Sequence, residues 1–96
     1  MADFNLDEFK KLVFRHLDDS IYRAFIFGSR ATGTNRKYSD LDLGIIAKTK
    51  VPTSKIFDLE NEFDQSNLPY KVDVVDFNNV SENFKKVAMK KVLYLN

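Results

Sequence analysis

The chain has 96 residues, 44% of them hydrophobic and 14% aromatic, which is enough for one packed domain and too apolar for a disordered segment. Fifteen Lys plus Arg against fourteen Asp plus Glu leave a formal net charge of +1, which argues against tight nonspecific binding to a nucleic-acid backbone and makes any anion site local. No cysteine is present, so disulfide frameworks, zinc–thiolate centres and thiol nucleophiles are excluded.

The opening MADFNLDEFKK is acidic and amphipathic, unlike the basic and then apolar start of a secretory signal, and no stretch approaches a membrane span. A cytoplasmic location is therefore expected. Asn5 with Glu8 fits a capping box, and Leu6, Phe9, Val13 and Leu17 recur at helical spacing, predicting an amphipathic helix over residues 5–18. His16, the only histidine, sits beside that apolar stripe without a motif partner and reads as structural. Ile21 to Phe27 (IYRAFIF) is short, β-branched and aromatic, and Gly28 stops it, as expected of a central strand covered on both faces.

A short segment, RATG, follows the Gly28-Ser29 turn. Asp40 to Ala47 (DLDLGIIA) then alternates, with Leu41, Leu43 and Ile45 on one face and Asp40 and Asp42 on the other. Pro52 and Thr53 open a helix whose buried face is Ile56, Leu59 and Phe63, and whose acidic residues Asp58, Glu60, Glu62 and Asp64 read as a solvated face. Asn67-Leu68-Pro69 breaks it, and Lys71 to Phe77 (KVDVVDF) is a third strand. Asn79 with Glu82 offers a second capping box for a helix carrying Phe84, Val87 and Ala88 and reaching residue 91. The final VLYL either continues that helix or forms a short edge strand. This order, without repeats or linkers, makes residues 1–96 one α/β unit built around three strands.

Gly28 permits a sharp turn and close approach to a ligand, and backbone N–H groups around Ser29 attract anions, although Gly-Ser after a strand is also ordinary turn chemistry. GSRATGTN has the glycine spacing of a P-loop, but Thr34 and Asn35 stand where Lys and Ser/Thr are required, and the glycine pattern of a dinucleotide fingerprint is missing too. Asp40 and Asp42 lie two apart on a strand, so both carboxylates share a face while the intervening leucine anchors the other. Two such carboxylates repel each other unless cations neutralise them. Mg²⁺ takes one or two carboxylates with waters and substrate phosphates, which suits two aspartates beside an anion-binding turn. Two metals need a third carboxylate, and Asp73 is a candidate because an acid inside a Val-rich strand is costly to bury unless paired, protonated or metal-bound.

Phe27-Gly28-Ser29, ten intervening residues and Asp40-Leu41-Asp42-Leu43, with the later VDVVD, resemble the pattern of the DNA polymerase beta-like nucleotidyltransferase superfamily, in particular its minimal nucleotidyltransferase branch. The resemblance covers nearly the whole chain; Thr32 stands where many relatives carry a basic residue. It implies the nucleotidyltransferase fold, an α/β (α+β) arrangement of a small mixed sheet of three or four strands with helices mainly on one face. It also implies that Gly28 and Ser29 hold the nucleotide phosphates, with Arg30 beside them. Asp40, Asp42 and Asp73 would be the catalytic and metal-binding residues, taking two Mg²⁺ ions, with Asp73 assisting deprotonation of the acceptor. Asp76 falls on the opposite strand face and reads as a cap or surface residue. Arg30, Arg36 and Lys37 offer charge to a phosphate and read equally as surface residues, while Tyr38, Tyr70 and Tyr94 are either stacking platforms or core and rim packing.

The implied reaction is in-line attack of an acceptor hydroxyl on the α-phosphate of a nucleoside triphosphate, with ATP the expected donor and pyrophosphate leaving. Minimal nucleotidyltransferases are commonly paired with HEPN-domain proteins, so the resemblance implies adenylylation of a HEPN toxin by this chain acting as antitoxin. The alternative is a non-catalytic nucleotide-binding partner that neutralises a HEPN protein by complex formation alone. A nucleic-acid ligand is disfavoured by the charge balance and the lack of a motif for one.

Overall fold

The computed structural model describes residues 5–28, 41–66, 68 and 71–96 of the chain. The Asn5 side chain accepts a hydrogen bond from the Glu8 N–H at 3.1 Å and starts α1 (Leu6–His16), whose first turn is acidic and whose last turn is basic, both favourable to the helix dipole. Phe9 and Val13 are buried on one side of it. The chain then enters β1 (Tyr22–Phe27), and after the turn it returns in β2 (Leu41–Ala47). The segment around RATG lies outside the described residues, as do Ser29, Arg30, Arg36, Lys37, Tyr38 and Asp40.

Helix α2 (Thr53–Gln65) follows Pro52, which occupies the N-cap without a side-chain bond, and it carries the chain across to β3 (Val72–Asp76). A crossover is required here because β2 and β3 are parallel, and no tight hairpin joins parallel neighbours. A 3₁₀ turn (Phe77–Asn79) and α3 (Glu82–Ala88) precede β4 (Val92–Tyr94). The sheet order is β3-β2-β1-β4, with β1 antiparallel to both of its neighbours.

VLYL takes the edge-strand alternative as a fourth strand, and two other expectations need revision. Helix α3 ends at Ala88 rather than residue 91. The second cap is Ser81, whose hydroxyl accepts from the Phe84 N–H at 3.1 Å, because Asn79 is consumed by the 3₁₀ turn. That turn is itself capped by Asp76, whose carboxylate accepts from the Asn78 N–H at 2.9 Å, the role expected of a residue facing away from Asp73.

Strand alternation sorts the side chains into two layers. Ala24, Ile26, Leu41, Leu43, Ile45 and Val72 face α1 and α2, where Phe9 and Phe63 stack with ring centroids 5.2 Å apart. Phe25, Phe27 and Phe77 form the smaller core on the other face, partly covered by Ala88 and Met89 at the end of α3. The Phe77 ring meets the other two edge to face, 4.8 Å from Phe25 and 5.0 Å from Phe27, a favoured arrangement of aromatic quadrupoles. Two asparagines close the ends of the sheet. Asn78 exchanges two hydrogen bonds with the backbone of Ala47, and Asn96 accepts from the Ala24 N–H while donating to the Tyr22 carbonyl.

Candidate active site

The register places Phe27 opposite Asp42 and Asp42 opposite Asp73, so the three form one row across β1, β2 and β3. Paired residues of neighbouring strands lie roughly 5 Å apart and project to the same side, here the face of the aromatic core. The rows on either side of Asp42 are apolar: Leu41 and Leu43 are fully buried against the helices on the opposite face. The backbone of β2 is thus held by core packing, and a carboxylate mounted on it has a fixed origin.

Gly28 follows at the end of β1 with φ of 81°, a left-handed conformation that glycine adopts without the penalty a side chain incurs. A Cβ built there would collide with the Asp42 Oδ2 atom. The missing side chain therefore does two things at once: it permits the turn, and it leaves room for the Asp42 carboxylate against the turn backbone. Asp73 is partly open to solvent, its side chain 44% exposed, and the Lys71 ammonium stands 3.9 Å from its Oδ1. The expectation that Asp73 is an acid buried among valines does not hold, since Val72 and Val74 pack toward the helices and leave Asp73 on the open face.

Of the sequence-predicted site, then, Gly28, Asp42 and Asp73 come together, while Ser29, Arg30 and Asp40 lie outside the described residues. Oxygen donors from adjacent strands, in register and reachable from one side, suit a hard divalent cation such as Mg²⁺. Among the described residues no group of three or more acidic, histidine or cysteine side chains forms a ligand cluster, and Asp42 and Asp73 are two candidate oxygen donors.

Other residues singled out in the sequence take structural roles. The His16 Nε2 atom lies 2.9 Å from Glu62 Oε1, tying α1 to α2, and Arg15 reaches the same oxygen at 3.4 Å. That imidazole contact, with the nearby guanidinium, holds the Glu62 carboxyl below its ordinary range. The acidic run of α2 is therefore not wholly a solvated face. Tyr94 packs its ring edge against Phe25 at 5.8 Å and receives the Arg23 guanidinium 5.0 Å above its face. Tyr38 and Tyr70 fall outside the described residues.

Two features are not evident from the sequence pattern. Gly44, two residues beyond Asp42 on the same face, lies under the Phe25 and Phe77 rings; a Cβ there would meet Phe25 and come within 2.8 Å of the Phe77 ring. Its signal was the glycine inside DLDLGIIA, since an interior strand glycine marks close approach of another group. The second is α3, which buries none of its residues: Phe84 is 42% exposed and Val87 68% exposed despite their helical spacing.

Residues 10–96 match the protein family described as "Polymerase beta, Nucleotidyltransferase". The chain is 39% identical over 69 residues to the probable protein adenylyltransferase MntA of Haemophilus influenzae, a match covering 72% of this chain and 60% of that relative's length. Its fold is similar to that of a chain in a toxin–antitoxin crystal structure with AMP-PNP, with a TM-score of 0.78 at 22% identity over 97% of this chain and 73% of that one. It is also similar to a chain of the tri-AMPylated Shewanella oneidensis HEPN toxin in complex with MNT antitoxin, with a TM-score of 0.69 at 19% identity, covering 95% and 68% of the two chains. Among the described residues no helix is long and apolar enough to cross a membrane.

Proposed function

The chain belongs to the polymerase beta nucleotidyltransferase family, and on that premise we propose that it transfers AMP from ATP to a hydroxyl of a partner HEPN-type toxin, acting as its antitoxin. The observation that carries the reading is the row of Asp42 and Asp73 on one sheet face, with the Gly28 turn against the Asp42 carboxylate. The relative named as a probable protein adenylyltransferase and the fold neighbours from toxin–antitoxin complexes support the same choice of donor and partner.

In this reading Asp42 and Asp73, with Asp40, hold Mg²⁺, and Gly28, Ser29 and Arg30 hold the triphosphate. Magnesium, when bound, supplies Lewis-acid neutralisation of charge on the transferring and leaving phosphates. The chain supplies position. Core packing of Leu41 and Leu43 fixes the origin of the Asp42 side chain, and Gly28, lacking a side chain, leaves its backbone open to close approach beside that carboxylate. A carboxylate oxygen of Asp73 accepts the proton of the acceptor hydroxyl as its oxygen bonds to the α-phosphorus. The bond from the α-phosphorus to the bridging oxygen breaks, and pyrophosphate leaves. All 96 residues act as one domain in this scheme, and its substrate pool places it in the cytoplasm.

The test incubates the chain and its HEPN partner with Mg²⁺ and ATP labelled at the α or the γ phosphate. Transfer of the α label alone to the partner is the expected result. Transfer of the γ label alone would replace the reading with phosphoryl transfer, and a tight complex without any transfer would replace it with neutralisation by binding.

A further inference from the structure

Between Gly28 at the end of β1 and α3 lies an open groove of about 360 Å³. Among the described residues its lining is mostly apolar, with Phe27 from the end of β1 and Phe84, Val87 and Ala88 from α3, joined by Lys90 and Lys91 after that helix. Gly28 belongs to both this groove and the carboxylate row, so the two share a boundary. We propose that the groove receives the nucleobase of the bound nucleotide, with the Phe84 ring as a stacking wall. The proposal deepens the nucleotidyltransferase reading and rests on it.

Three observations select this occupant. The first is chemical. The apolar walls, which make up most of the lining, suit a planar heterocycle, because every base has a π-face that stacks on an aromatic ring. The second is size, since the volume falls within the range of small-ligand sites, roughly 300–1,000 Å³. The third is arrangement. Phe84 leans edge-on toward Phe27, their centroids 6.1 Å apart, and keeps 42% of its surface exposed. Phe27 is in register with Asp42, so a ligand whose phosphates lie at the turn needs only to cross Gly28 to bring its base to Phe84. Lys90 and Lys91 in the lining bring positive charge that complements the ligand's negative charge. The exposure of Phe84 and Val87, unexplained by folding, then has a use.

The experiment measures binding of Mg·ATP and of Mg·tripolyphosphate to the native chain, to Phe84→Ala and to Val87→Glu by titration calorimetry. Methyl resonances of Val87 and Ala88 in the native chain are followed alongside. Phe84→Ala is expected to weaken ATP roughly 10-fold or more, the scale of one lost base–aromatic stack. Tripolyphosphate affinity should stay within about twofold. ATP, but not tripolyphosphate, should shift the two methyl signals through the ring current of the base. Val87 is 68% exposed, so Val87→Glu keeps the fold and carries the test if Phe84→Ala does not. ATP affinity unchanged in the variants, with unmoved methyls and a native chain that binds both ligands, would overturn the base slot and leave the nucleotide reading standing. Binding of the HEPN partner is titrated on the same variants, and its loss without loss of ATP affinity would reassign the groove to the partner and overturn the proposal. A native chain that binds neither ligand would overturn both.

Discussion

Replacing Gly28 by alanine perturbs two things that the structure separates. The backbone at φ of 81° costs an L-residue about 1–2 kcal/mol. The new methyl also overlaps Asp42 Oδ2, and the carboxylate must swing off its rotamer, at a cost of about 0.5–1.5 kcal/mol. Asp42→Ala removes Oδ2 and Cγ and leaves only the Asp42 Cβ, at 3.7 Å, an ordinary contact. Gly28→Ala should therefore cost about 1.5–3.5 kcal/mol in the native background and about 1–2 kcal/mol in the Asp42→Ala background. Urea unfolding followed by circular dichroism, on the four proteins of the cycle, reads the coupling. Equal losses in both backgrounds would refute the claim that the turn is built around the Asp42 carboxylate.

Gly44→Ala should cost about 1–3 kcal/mol, since its methyl overpacks the Phe25 and Phe77 rings, and thermal melting against the native chain checks it. Asp42→Asn and Asp73→Asn should each abolish label transfer to the partner, Asp73→Asn with little loss of stability, because the Lys71–Asp73 pair is solvent-exposed and worth about 0–1 kcal/mol. Glu62 has its pKa lowered in the folded state, by the His16 contact first, so its contribution is present above the unfolded value and fades as pH falls through the folded one. The urea midpoint of Glu62→Gln should accordingly lie below that of the native chain at pH 7 and converge with it under acid, and a gap that persists to low pH would contradict that assignment.

Much of the fold was legible because local signals agreed with tertiary ones. The Asn5 cap, the stop at Gly28 and the alternation through Leu41, Leu43 and Ile45 each have one physical meaning, and the structure uses them so. The second cap was misplaced because Asn79 and Ser81 are both good capping residues, and only the 3₁₀ turn held by Asp76 decides between them. VLYL was ambiguous because three or four apolar residues show no period, and its strand identity comes from pairing with β1. Asp73 was found for a partly wrong reason: its place beside Asp42 depends on register, which a single sequence does not display. The groove was hidden for the same kind of reason. Phe84 and Val87 have the spacing of a buried helix face, and only the packing of α3 by its end reveals them as exposed.

The central claim is that Asp42 and Asp73 grip a divalent ion beside the Gly28 turn. Its most direct measurement adds substoichiometric Mn²⁺ with ATP to the isotope-labelled chain and records which backbone amides broaden by paramagnetic relaxation. Gly28, Asp42 and Asp73 should broaden first, with Asp76, about 10 Å further along β3, and Glu62 following only at higher Mn²⁺. Broadening centred on Asp58, Glu60 and Asp64 of α2, with the carboxylate row unaffected, would contradict the account.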